Sequence, residues 1–192
     1  MASHNYRRSV NALTLTVAAA FAGGNLFIGL SMGSYWLSLD PGQFYNAFFF
    51  QWLRFLYTIM PLFILLLIGL ILSARLDWQE RTLRRKWSIA IGLYVIVTLI
   101  TSIVHLPINL RIGTEVLSNA PEPLSNWTDQ IGIFGQASPS AAGDVRATWL
   151  LWHVPRILVT MAIPFVAFNA ITSRLPEQDL DRSTAGPSPG NP

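Results

Sequence analysis

Two residues near the start of the last long apolar run could do chemistry together. They are His153 and Arg156, set three apart in TWLLWHVPR (Thr148–Arg156) with Pro155 between them. Residues three apart share a helical face, so imidazole and guanidinium project to one side. Some twenty nearly uncharged residues follow, and an arginine two turns inside such a helix is costly enough to mark a functional site. A second imidazole, His105, stands with Asn109 in HLPINLRI near the end of the preceding apolar run. Imidazoles exchange protons near neutral pH, and arginine stabilises an anion strongly in a dry setting. The set suits a phenolate, enolate or quinone oxygen. His105 and His153 could instead be axial ligands of a haem. They could also simply satisfy buried hydrogen bonds, with Arg156 reaching up to phosphate groups. The apolar runs hold no carboxylate, which weakens a two-histidine, one-carboxylate iron site. Asp144 or Glu115 would have to supply it from the connection.

The elements that position these residues follow from composition. Of 192 residues, 52% are hydrophobic and 12% charged. Soluble domains carry roughly 25% charged residues. Four spans of about 20 residues fit this length. The expectation is an all-α fold, a four-helix transmembrane bundle over residues 1–174, with a disordered tail over 175–192. Net charge is +3, but the basic residues lie between spans and form no stripe for nucleic acid. No cysteine is present, which removes disulfides, thiolate metal sites and thiol nucleophiles.

Span one is read as Val10–Trp36, too long for a signal-peptide core. Ala22, Asn25, Gly29 and Gly33 fall on one of its faces. Asn25 should bond a neighbouring helix. The Gly29/Gly33 pair permits close helix approach, within the chain or in a homo-oligomer. Leu37–Gln51 reads as a connection turning at Asp40-Pro41-Gly42, followed by aromatics suited to a headgroup layer. Span two is Phe55–Ala74, bent at Pro61. Arg54 and Tyr57 at its outer end could face the site, though Arg54 could equally snorkel.

Arg75–Lys86 holds five basic residues, and the first connection has none before Arg54. The charged connection and both termini are therefore expected in the cytoplasm, N-in and C-in, in a multi-pass membrane protein. Span three is Trp87–His105, with Tyr94, Thr98, Ser102, His105 and Asn109 as a polar stripe facing the bundle. Thr98 and Ser102 could bond the preceding turn's carbonyls, and Pro107 should loosen the helix end. Arg111–Ala147 is expected as a long extracytoplasmic connection that could fold over the bundle as a lid. Span four is Trp149–Thr172, with His153, Arg156, Thr160 and Pro164 on one face. His105, Asn109, His153 and Arg156 should then meet at one depth of the outer leaflet, level with Arg54 and one turn above Tyr57.

The chain resembles the anthrone-oxygenase-like family of small four-span membrane proteins. HLPINLRI (His105–Ile112) is similar to that family's PxN ending of span three. WLLWHVPR (Trp149–Arg156) is similar to its W-x-x-x-H-x-x-R opening of span four. The glycine-rich first span and QWLRFLYTIMP (Gln51–Pro61) are compatible with it. By position Asn109, Trp149, His153 and Arg156 match the pattern, and His105 is not assigned by it. The 111–147 insertion and Pro155 depart from it. The resemblance implies a four-helix bundle and oxidation of a lipophilic phenolic or aromatic substrate, as fungal members are implicated in turning anthrones into anthraquinones. It implies no conventional metal or flavin. His153 or His105 would abstract a proton, Arg156 would hold the oxyanion, and Asn109, Trp149, Arg54 and Tyr57 would contact or orient the substrate. A haem- or quinone-binding redox module and a non-enzymatic protein packing with a partner are the alternatives.

Overall fold

The computed structural model describes residues 4–118 and 142–173. They form helices α1 (His4–Phe27), α2 (Gly33–Leu37), α3 (Pro41–Leu76), α4 (Arg81–Ile100), α5 (Leu106–Ser118) and α6 (Ala142–Thr172). A π-helical turn, Ile28–Met32, joins α1 to α2, and a second, Thr101–His105, joins α4 to α5. The result is an all-α bundle of four long helices: α1–α2, α3, α4–α5 and α6. Among the described residues these four are long and apolar enough to cross a membrane. The expected tail and most of the 111–147 segment, including the proposed lid, lie outside the described residues.

The surface argues for a bilayer as strongly as the helix lengths do. Leu65 and Ile68 on α3, Leu99 on α4, and Leu158 and Phe165 on α6 all point outward and are exposed. Apolar faces of this extent are not left to water in soluble proteins. Inside, Phe21, Leu66, Leu70, Trp87, Val97 and Ile163 form one core towards the α3–α4 turn. A second, aromatic core sits at the opposite end, built from Trp36, Phe44, Phe48 and Trp149. The α6 helix packs along both α1 and α4.

Several boundaries differ from expectation. The first connection is only Ser38–Asp40, because Pro41 opens α3 at a position where its missing N–H costs nothing. The aromatic stretch 44–52 is therefore helix, not loop. The α3 helix continues through Pro61. Beyond Pro107 the helix also persists, to Ser118. A proline ring crowds the carbonyl four residues back, and the π turn just before Pro107 supplies the extra backbone length to absorb that crowding. That turn also advances the helical phase by one residue. Ser102 is turned outward and Thr101 takes the inward position, so the polar stripe is broken at Ser102. Tyr94, His105 and Asn109 are buried as expected. Thr98 Oγ1 donates to Tyr94 O (2.9 Å), the back-bond anticipated for it.

The glycine pair serves the chain's own packing. Gly33 faces α6, where an added Cβ would lie 3.0 Å from Leu150 Cδ2. Gly29 faces His153 and Ile157 of the same helix. The opposite end is tied by Asp77, in the turn after α3 and 2% exposed. It accepts from Trp87 Nε1 (2.7 Å) and Asn11 Nδ2 (3.1 Å) and lies 3.7 Å from Arg7 Nε.

Candidate functional site

Trp149 is the hub of the site. Its Nε1–H donates to Asn109 Oδ1 at 2.9 Å, joining α6 to α5. Its indole stacks on the His153 ring, centroids 4.5 Å apart at 17°. It meets His105 edge-on at 5.0 Å. Trp36 and Phe48 close in at 5.2 and 5.4 Å. Trp36 is fixed in turn by Gln51, whose Oε1 accepts its indole N–H at 2.7 Å. Arg146 donates from Nη1 to the carbonyls of Trp36 (2.9 Å) and Leu39 (2.8 Å), which holds the start of α6 against the end of α2. Carbonyls left over at a helix end need such a donor.

The two imidazoles are 1% exposed and their centroids lie 5.5 Å apart. His153 Nε2 sits 3.1 Å from Asn25 O. A carbonyl oxygen only accepts, so Nε2 carries a proton and, in the neutral ring, Nδ1 is a bare lone pair. That Nδ1 is buried and has no hydrogen-bond partner. His105 shows the same logic with the nitrogens exchanged: Nδ1–H faces Ile100 O at 3.4 Å, and the buried Nε2 has no hydrogen-bond partner. Arg156 Nε is likewise buried without one. Two acceptors and one cationic donor are thus left open within one small region. Buried polar atoms in native proteins are nearly always satisfied, and the exceptions call for a ligand, water or a functional reason.

A cleft of about 90 Å³ reaches this region. Asn109, Trp149, His153 and Arg156 line it, as do Thr101 and the α3 residues Trp52, Phe55, Leu56 and Met60. His105 stands behind Trp149 and His153 rather than in the wall. The α3 residues repeat at i, i+3, i+4 and i+8, one face of a helix. Arg54 and Tyr57 lie off that face. Both are exposed, Tyr57 by 85%, and the structure does not bring them to the cleft. Their helical phase, not their depth, excludes them.

Asn25 departs from expectation in a useful way. Its side chain bonds its own helix, Nδ2 donating to Phe21 O at 2.8 Å. Its main-chain carbonyl is what serves the site, by holding His153. Asn109 likewise acts through Trp149, so it is a positioning residue here. Sequence reasoning missed Thr101, Trp36, Phe48 and Gly29 as parts of the site. The tryptophan and phenylalanine looked like a headgroup belt, and Thr101 faces inward only because of the π turn.

The residues present do not fit a haem held between His105 and His153. The Nε2 of His153 is committed to Asn25 O, its ring face is covered by Trp149, and the cleft is far below the roughly 300–1,000 Å³ usual for ligand sites. Among the described residues no group of three or more His, Asp or Glu side chains comes together as a metal cluster. No protein family, no characterised protein and no solved structure matches the chain.

Proposed function

We propose that the cleft receives the acidic end of a lipophilic aromatic molecule, a phenol or an anthrone-type methylene, and promotes its oxidation by dioxygen. The single observation that supports this reading most is the open set: His153 Nδ1 and His105 Nε2 as lone pairs and Arg156 Nε–H as a donor, all buried and unpartnered. The resemblance in HLPINLRI and WLLWHVPR supports the reaction class. A structural role alone would leave no reason for three unsatisfied groups so close together.

The chemistry assigns one role to each group. His153 Nδ1 lines the cleft with its tautomer fixed from behind, so it is the base. It takes a proton from the methylene, and the charge spreads to the conjugated oxygen, where Arg156 Nε–H meets it. Trp149 holds the imidazole plane, and Asn109 holds Trp149. Dioxygen adds to the carbanion carbon to give a hydroperoxide, which loses water to leave a carbonyl. In balance, one methylene and one dioxygen give one carbonyl and one water, a four-electron oxidation of carbon matched by four electrons to dioxygen. The small enclosed volume admits only the reacting end, with the rest of the molecule lying along the aromatic α3 wall.

The test is oxygen uptake by purified protein in lipid nanodiscs supplied with anthrone. A positioned base contributes about 10²–10⁴-fold, so His153→Ala should lower the rate by at least about 10²-fold. Arg156→Gln should cost about 10²–10³-fold, the loss of one oxyanion donor. Uptake no faster with wild type than with His153→Ala would overturn the reading.

A further inference from the structure

We infer that the ligand reaches the cleft sideways, from the hydrocarbon layer, through a portal on the α3 side framed by Leu56, Met60 and Thr101. The inference rests on the reading of the cleft given above and adds the route and the residue that controls it. Three observations carry it. First, the end of the cleft nearest the aromatic core is walled off. Trp36 and Phe48 are each 1% exposed and Trp149 is 4% exposed, and the three rings are in mutual contact. Second, the α3 wall is open. Met60 lines the cleft yet is 44% exposed at the bundle surface, and Trp52, Phe55, Leu56 and Thr101 are each partly exposed. Third, that opening lies at hydrocarbon depth. Met60 is six residues beyond Arg54, about 9 Å along a helix. Between Arg54 and Arg75, α3 carries no charged residue.

A portal of this kind selects by partitioning. Only a molecule already dissolved in the acyl chains reaches His153 and Arg156, and bulk water is kept from them. Methionine suits the position because its unbranched, flexible side chain can swing aside and repack. The chemical class is therefore a membrane-soluble phenol or aromatic ketone presenting its polar end to the cleft, not a water-borne acid.

The portal is tested by association kinetics in nanodiscs. A brominated long-chain alkylphenol, whose heavy atoms quench tryptophan, is delivered from vesicles. Trp36, Trp52 and Trp149 report its arrival. Met60→Phe, stiffer at the opening, should slow association about tenfold with affinity changed far less, and Met60→Ala should speed it, since a route acts on rate more than on equilibrium. Separately, a nitroxide on Met60→Cys, in a chain with no other cysteine, should collide with dissolved oxygen and be shielded from a water-soluble nickel chelate. Association at the wild-type rate in both variants, or strong collision with the chelate, overturns the portal and leaves the oxidation reading intact. Normal binding and variant rates without anthrone-dependent oxygen uptake overturn the oxidation reading and leave the portal. A wild-type protein that takes up no alkylphenol at all overturns both.

Discussion

At the scale of single residues, the site depends on a glycine. An added Cβ at Gly29 would lie 3.0 Å from His153 Cδ2 and closer still to Ile157 Cδ1. The isoleucine end can move, but the imidazole is pinned between Trp149 and Asn25 O. Helix propensity alone would favour alanine by about 0.5–1 kcal/mol. Overpacking a filled site costs about 1–3 kcal/mol, so the clash decides the sign. Gly29→Ala should lower the melting temperature in detergent and loosen the His153–Asn25 bond, measurable as a changed imidazole NMR signal. Gly23→Ala is the control. Nothing lies within 4 Å of its added Cβ, so it should be neutral or slightly stabilising.

At the scale of elements, the bundle is fastened differently at its two ends. Towards α2, aromatic packing and the Arg146 bonds close the end, and open polar atoms are left in the cleft. Towards the α3–α4 turn, Asp77 is satisfied by α1 and α4 together. Contrast of this kind separates a fastening from a site. Removing the carboxylate would strand the Trp87 and Asn11 donors in a buried place, which costs about 3–5 kcal/mol for a buried charged network. Asp77→Ala should therefore lower stability far more than His153→Ala does, in a denaturant titration followed by tryptophan fluorescence. Where π turns interrupt α1–α2 and α4–α5, they stand beside the two imidazoles. Each shifts the helical phase by one residue, which brings Thr101 inward and lets the bundle continue past Pro107.

For the whole molecule, the four apolar helices and their outward-facing side chains describe a body built for a bilayer. The distribution of basic residues then sets an expected direction of insertion. Five of them fall in Arg75–Lys86, so that turn should lie in the cytoplasm. Single cysteines report this cleanly in a cysteine-free chain. Gln79→Cys should react with an impermeant maleimide only after the membrane is opened, and Gln43→Cys should react in intact cells. Labelling of Gln79→Cys in intact cells would reverse the orientation and place the aromatic core at the cytoplasmic surface.

The helix count and the buried positions of His105, Asn109, Trp149 and His153 were legible from residue order. Hydropathy runs set by bilayer thickness and helical periodicity are local properties, and they carry that much without coordinates. The ends of the helices were less legible, because Pro41 and Pro107 have opposite consequences depending on the backbone around them. Nothing local distinguishes a π turn from an ordinary one, so the inward Thr101 and outward Ser102 could not be read off. Nor could the phase of α3, which carries Met60 to the cleft and leaves Arg54 and Tyr57 outside it. Which nitrogen of each histidine is free depends on a carbonyl from another helix or another turn. Only the packed bundle decides that, because hydrogen-bond partners distant in sequence are chosen by geometry and not by composition.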